Sequence, residues 1–165
     1  LFELYPEGFP NLEENKNQSI FFHGEPGTGK TLSAIAQCIY NHNNSRFQET
    51  SFQFINLSEM LFEIRRSYKP SNDNTESDFE GQLIDKCRNV KYLIIDDLGS
   101  EKSTDFAMGI LYLIIKYRFG HEKITIITSN FDFKELQSKM NDDRVLTRIK
   151  AMSKIIHFKK QYRLG

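Results

Sequence analysis

Residues 24 to 31 read Gly24-Glu25-Pro26-Gly27-Thr28-Gly29-Lys30-Thr31, a complete G-x-x-x-x-G-K-[ST] loop placed directly after the apolar run Ile20-Phe21-Phe22. A strand that runs into a glycine-rich loop and then a helix aims several backbone N–H groups at one spot, and the natural occupant of that spot is a phosphate. The glycines at 24, 27 and 29 let the chain approach an anion closely. Lys30 carries a positive charge to terminal phosphates, and the Thr31 hydroxyl is placed to reach a Mg²⁺ ion. Leu32, Ile35, Ala36 and Ile39 then recur at helical spacing and mark the helix that such a loop must open. An ordinary glycine turn with a surface lysine has no need of a strand before it and a helix after it.

A chain of 165 residues has the size of one domain with a core of its own. Its two cysteines, Cys38 and Cys87, fall in stretches read as helices, without C-x-x-C spacing or a histidine pattern. That argues against a disulfide scaffold or a zinc site and for a reducing, cytoplasmic setting. No basic segment followed by an apolar run opens the chain, and the longest apolar stretch, near Ile110 to Ile115, is too short to span a bilayer. Lysine plus arginine equals aspartate plus glutamate at 22 each, so no overall positive field draws the protein to nucleic acid, and any such contact is local. A start at Leu1 rather than Met points to a piece of a longer protein.

Apolar runs alternate with amphipathic stretches, the pattern of an α/β protein with a parallel sheet. Strands are expected at about 20 to 23, 52 to 56, 91 to 96, 124 to 129 and 155 to 158. The third and fourth, Tyr92-Leu93-Ile94-Ile95 and Ile124-Thr125-Ile126-Ile127, are continuously apolar, as central strands covered on both faces are. Leu57, Met60, Leu61, Ile64 and Tyr68 share one helical face; Phe79, Leu83, Ile84 and Cys87 share another, with Ser77 and Glu80 spaced as a capping box. A third helix is expected from about Thr104 to Phe119, apolar nearly all round and ended by Gly120. Asp132 with Glu135 caps a short helix ending near Met140, and Val145, Leu146 and Ile149 mark one more. The polar runs 41 to 51 and 70 to 78 have little to bury and read as mobile loops.

In a parallel sheet the ligand binds at the C-terminal edge of the strands, so the strand ends decide the chemistry. The third strand ends in Asp96-Asp97. Asp96 is suited to hold Mg²⁺, directly or through water, and Asp97 to polarise an attacking water. The fourth ends in Thr128-Ser129-Asn130. From spacing alone Asn130 serves equally well as a contact to water or the γ-phosphate and as a cap for the turn into the next helix. Arg144 and Arg148 lie four apart on one helix face; guanidinium groups suit transition-state phosphate charge, yet by themselves the two also read as a solvated helix surface.

With these pieces in place the chain resembles the AAA+ ATPases, and within them the bacterial or phage helicase loaders of the DnaC/DnaI type together with the transposition helper IstB. Gly24 to Thr31 looks like the AAA+ form of Walker A. Leu93-Ile94-Ile95-Asp96-Asp97-Leu98-Gly99-Ser100-Glu101 is similar to the Walker B segment, Thr125 to Asn130 to the sensor 1 strand, and Asp143-Arg144-Val145-Leu146-Thr147-Arg148-Ile149 to the arginine-finger segment, with the finger at Arg148. The tail from Ile155 to Arg163 resembles the last strand and terminal turn of the loaders. The resemblance implies a three-layer P-loop fold with a five-stranded parallel sheet, helices on both faces and no helical lid, spanning residues 1–165 as one core domain without its N-terminal partner-binding region.

It also implies an ATP·Mg²⁺ site with Gly24, Glu25, Pro26, Gly27, Thr28, Gly29, Lys30, Thr31 and Leu32 around the nucleotide. Thr31 and Asp96 would be at the metal, Lys30, Asp97 and Asn130 at the chemistry, and Arg148 would reach the site of a neighbouring subunit. Many AAA+ proteins carry glutamate where Asp97 stands, one methylene longer. In the loaders, DNA is gripped between the second strand and Walker B, where this chain places Arg65, Arg66 and Lys69 beside Tyr68, the basic and aromatic mixture of single-stranded DNA sites. The leading expectation is an ATPase that helps load a replicative helicase onto single-stranded DNA. An IstB-like transposition ATPase is the alternative. A small-molecule P-loop kinase is disfavoured by Ser129-Asn130 and the arginine pair.

Overall fold

The computed structural model describes residues 19–44, 51–68, 79–100, 104–140 and 142–159. Five parallel strands, β1 (Ser19–Gly24), β2 (Phe52–Asn56), β3 (Tyr92–Asp96), β4 (Ile124–Ser129) and β5 (Ser153–Phe158), form one sheet in the order β2-β3-β4-β1-β5. Six helices connect them: α1 (Lys30–Asn44), α2 (Leu57–Ser67), α3 (Phe79–Asn89), α4 (Asp105–Gly120), α5 (Phe133–Lys139) and α6 (Asp143–Met152). The registers Ile20 to Ile126, Ile94 to Ile126 and Phe22 to Ile156 place β1, β3, β4 and β5 side by side with their C-terminal ends at one edge.

Side chains alternate across the sheet with period two, and each face has its own core. Phe21, Leu93, Ile95 and Ile127 point to the face covered by α2 to α6. Ile20, Phe22, Tyr92, Ile94, Ile124, Ile126 and Phe158 point to the other, where Ala34 and Cys38 of α1 meet them. β1 therefore sends its helix to one face while the later strands send theirs to the opposite one. That reversal opens a crevice at the C-terminal edge beside β1, the position where open α/β sheets bind ligands. Among the described residues no helix is long and apolar enough to cross a membrane.

The three-layer α/β reading holds, and four local expectations change. Leu32, Ile35 and Ile39 are exposed, whereas Ser33, Ala34, Gln37, Cys38 and Asn41 form the buried side of α1. The stripe seen at helical spacing is the outward one. Residues 41 to 44 of the first polar run continue α1; the run from 45 to 50 and the second run at 70 to 78, Ser77 with it, lie outside the described residues. Gly120 closes α4 as a helical residue, and the left-handed turn comes at Glu122 with φ 50°. β5 starts two residues earlier than expected, at Ser153. The capping box at Asp132 is complete: Glu135 N donates to Asp132 Oδ1 and Asp132 N donates to Glu135 Oε2, both at 2.8 Å.

Candidate nucleotide site

The loop between β1 and α1 is shaped by glycine conformation. Gly24, Gly27 and Gly29 have φ of 142°, 77° and 93°, values that L side chains rarely adopt. At Gly24 a further constraint acts, because a Cβ there would stand 2.1 Å from the Phe158 carbonyl oxygen of β5. The Thr28 hydroxyl donates to the Glu25 carbonyl at 2.8 Å and braces the loop from outside. Lys30, the first residue of α1, turns back under the loop. Its ammonium donates to the Gly24 and Glu25 carbonyls, each at 2.8 Å, and to Asn130 Oδ1 at 2.9 Å.

Lys30 is buried, and burial lowers its pKa from the ordinary lysine value while the charges of Asp97 and Asp96 oppose the shift. The cation is thus stored at the loop on neutral acceptors, close to carboxylates that keep it charged.

The opposite wall is built by strand ends. Asp96 closes β3, and its Oδ1 accepts from the Thr31 hydroxyl at 2.8 Å and from the Thr128 hydroxyl at 2.7 Å. Asp97 follows with φ 56°, a left-handed turn that aspartate tolerates better than most residues. Its N–H donates to Thr128 Oγ1 at 2.9 Å, and its carboxylate accepts from Asn130 Nδ2 at 2.7 Å. The turn is held further by Ser100, whose hydroxyl donates to the Asp97 carbonyl at 2.8 Å, and by Ser129, whose hydroxyl donates to the Leu98 carbonyl at 2.7 Å.

Asn130 accepts from Lys30 and donates to Asp97, so one amide links the loop lysine to the carboxylate of the neighbouring strand. The helix cap that Asn130 was equally suited to make is made by Asp132.

These groups enclose a cavity of about 510 Å³, lined by Pro26, Gly27, Gly29, Lys30, Thr31 and Leu32 on the loop side and by Asn56, Asp96, Asp97, Thr128 and Asn130 on the strand side. The volume lies within the ~300–1,000 Å³ of small-ligand sites. Two lining residues escaped the sequence reading. Thr128 looks like an ordinary strand residue, and its part as acceptor for Asp97 and donor to Asp96 depends on β3–β4 register. Asn56 caps α2 by accepting from Glu59 N at 3.3 Å, and its place at the end of β2 was the one available signal.

The basic residues sit elsewhere. Arg144 and Arg148 are on α6 and do not line the cavity. Arg65 and Arg66 are exposed at the end of α2, Arg65 with its guanidinium 5.9 Å from the Phe106 ring centroid and Arg66 3.6 Å from Glu63. The Tyr68 hydroxyl beside them donates to Glu80. Lys69 lies outside the described residues.

The donors around Asp96 are all hard oxygens, one carboxylate with two hydroxyls, and among the described residues no group of three or more His, Cys, Asp or Glu forms a metal cage. That set fits Mg²⁺, which keeps waters and phosphate oxygens as ligands rather than a full protein shell.

The chain is similar in sequence and in fold to known proteins. The chain is 28% identical over 137 residues to the replicative helicase loader DnaC of Buchnera aphidicola subsp. Baizongia pistaciae, covering 82% of this chain and 52% of that protein. It is 30% identical over 146 residues to a protein of insertion sequence IS5376 from Geobacillus stearothermophilus named for ATP binding, covering 87% and 51%. The chain thus spans about half the length of the curated relatives it matches. The crystal structure of the DnaC helicase loader has the same fold, with a TM-score of 0.70 over 94% of this chain and 96% of that one at 22% identity. In this chain a phosphate loop, a double-aspartate strand end and an asparagine strand end meet in one crevice. The model of the IstB-like ATP binding protein family matches residues 12–164, and the chain belongs to that family.

Proposed function

We propose that this chain is the ATPase core of a factor that loads a replicative helicase onto single-stranded DNA. The observation that carries the reading is the chain of contacts from Lys30 through Asn130 to Asp97, beside Asp96 and Thr31 in the same cavity. It brings together the groups that phosphate binding and water activation require. The loop N–H groups and Lys30 bind the triphosphate. Asp97 accepts the proton of the attacking water, and Asn130 orients that water against the γ-phosphate. Thr31 and Asp96 hold Mg²⁺, which when bound supplies charge neutralisation at the phosphates. Leu32, exposed at the mouth of the cavity, offers apolar surface to the nucleotide.

Arg148 stands outside its own cavity, which supports a role at the site of a neighbouring copy, so turnover depends on assembly. Arg65, Arg66 and Lys69 are the candidate contacts to single-stranded DNA. The partner helicase is engaged by a region beyond this core domain, and the protein works in the cytoplasm, where the buried free thiols of Cys38 and Cys87 stay reduced.

The deciding experiment measures ATP turnover of the full-length protein with and without single-stranded DNA, beside capture of the host's replicative helicase. Stimulated turnover that Lys30→Ala abolishes, together with helicase capture, is the expected result. Absence of nucleotide binding by the wild-type protein overturns the reading. The family match and the insertion-sequence relative favour a second reading, an ATPase that assists transposition, which the capture of a transposase in place of a helicase would select.

A further inference from the structure

Tyr112, half-buried on α4, stands among three cations that the nucleotide site does not use. The Arg144 guanidinium lies 4.6 Å from the centre of its ring, the Arg148 guanidinium 5.3 Å and the Lys116 ammonium 5.7 Å. The two arginines are held in different ways. Arg144 donates from Nε and Nη2 to the two oxygens of Asp142, at 3.0 and 2.8 Å, so its charge is neutralised and its plane is fixed. Arg148 has no ion-pair partner among the described residues; its Nη1 donates to the Arg144 carbonyl one turn back, at 2.7 Å, and its remaining restraint is the ring.

The contrast with Arg118 is instructive. That buried guanidinium distributes its N–H groups over Thr125 Oγ1 and the carbonyls of Cys87, Arg88, Val90, Lys91 and Ile124. Arg148 leaves most of its donors unspent while its position is set by one carbonyl and one aromatic face. An arginine confined in this way loses less rotamer freedom when it meets an anion than one waving in water. The Asp142 carboxylate also removes the like charge of Arg144 that would otherwise push Arg148 away.

We propose that Tyr112 is a positioning residue for Arg148. Its ring, with the clamped Arg144 beside it, pre-organises the Arg148 guanidinium for delivery to the nucleotide phosphates held by a second copy of the chain. The inference rests on the reading of Arg148 given above. It adds that the aromatic electron density of residue 112, and not its bulk alone, sets the efficiency of that delivery.

The test uses the full-length protein and reads assembly-stimulated kcat, nucleotide Kd and thermal midpoint for a set of variants. Tyr112→Phe is expected to stay within about twofold of wild type, because the ring face is kept. Tyr112→Leu is expected to lower stimulated kcat roughly three- to thirtyfold, with nucleotide Kd unchanged and with no added loss in an Arg148→Ala background. Phenylalanines of increasing fluorination at position 112 keep the shape of Phe while draining its negative face. They should lower kcat stepwise, and they decide the matter if Tyr112→Leu does not fold.

A flat fluorination series overturns the positioning role and leaves the reading of Arg148 standing, provided Arg148→Ala itself keeps only a small but measurable fraction of stimulated turnover. Losses that simply multiply in the Tyr112→Leu, Arg148→Ala double variant have the same meaning. Wild-type turnover in Arg148→Ala overturns both.

Discussion

At the residue scale the proposed roles in binding and in chemistry fall on different residues, Lys30 and Asp97, joined by Asn130. Lys30 touches the loop carbonyls and the Asn130 side chain, whereas Asp97 meets Asn130 through its carboxylate and the Thr128 and Ser100 hydroxyls through its backbone. Asp97→Asn is the cleanest probe of the second role, because asparagine accepts the left-handed backbone at φ 56° as readily as aspartate but cannot take a proton. The expected outcome is nucleotide affinity within a few-fold of wild type and turnover reduced about 100-fold or more, read by titration with a fluorescent nucleotide and by phosphate release. Gly24 offers a second prediction, of stability. A Cβ at 2.1 Å from the Phe158 carbonyl must displace backbone of the adjacent strand, so Gly24→Ala is expected to cost about 2 kcal/mol or more in chemical denaturation. At Gly27 nothing lies within 4 Å, and the same substitution should cost only the backbone strain of roughly 1–2 kcal/mol.

At the scale of the elements, the loop and the strand ends were legible because their chemistry is contiguous in the chain. Eight residues specify the phosphate loop, and the carboxylates and the amide follow their strands directly. Orientation was not legible. A helical repeat at Leu32, Ile35 and Ile39 locates a face of α1 but not which side meets the sheet, and the buried side is instead built from Ser33, Ala34, Gln37, Cys38 and Asn41. The start of α6 shows a second limit, since its N-cap Asp142 also clamps Arg144, a pairing that composition cannot distinguish from a plain cap.

The Asp142–Arg144 clamp makes a pH prediction. The hydrogen bonds and charge of Arg144 hold the Asp142 carboxyl below the ordinary aspartate range, against the opposing effect of burial. A group depressed in the folded state binds its proton more readily when unfolded, so its stabilisation is present above the unfolded pKa and drains away as pH falls through the folded one. Asp142→Asn should therefore be less stable than wild type at pH 6, and the difference should shrink towards pH 2.5. Denaturant midpoints collected at both pH values check the sign, and a difference that grows on acidification would contradict the assignment.

For the molecule as a whole, Arg118 is the tie that sequence reading missed. It is fully buried on a helix read as apolar nearly all round, and its donors gather carbonyls from the end of α3 and the starts of β3 and β4. Desolvation lowers its pKa to about 10, so it remains charged at neutral pH. A single charged residue on an otherwise apolar stripe with Leu111 and Ile114 was the only hint available, and its partners lie 27 to 31 residues away, apart from those at the start of β4. Replacing it by methionine keeps bulk but strands several buried carbonyls, each worth about 1–3 kcal/mol. Arg118→Met is thus expected to lower unfolding free energy by about 3 kcal/mol or more, measured by urea denaturation.

The strand order carries a consequence for how this protein is made. β1 is synthesised before the other four strands of the sheet, yet its two neighbours are β4 and β5, whose residues lie about a hundred positions or more further along the chain. Contacts of that separation form late, after the cost of closing a long loop has been met. During synthesis β2, β3 and β4 can assemble among themselves, while the strand that bears the phosphate loop waits for β4, and β5 completes its other edge last. Nascent chains that have not yet exposed residues 124 to 129 are thus expected to be blind to ATP, and nucleotide can act on folding only once nearly the whole domain has emerged.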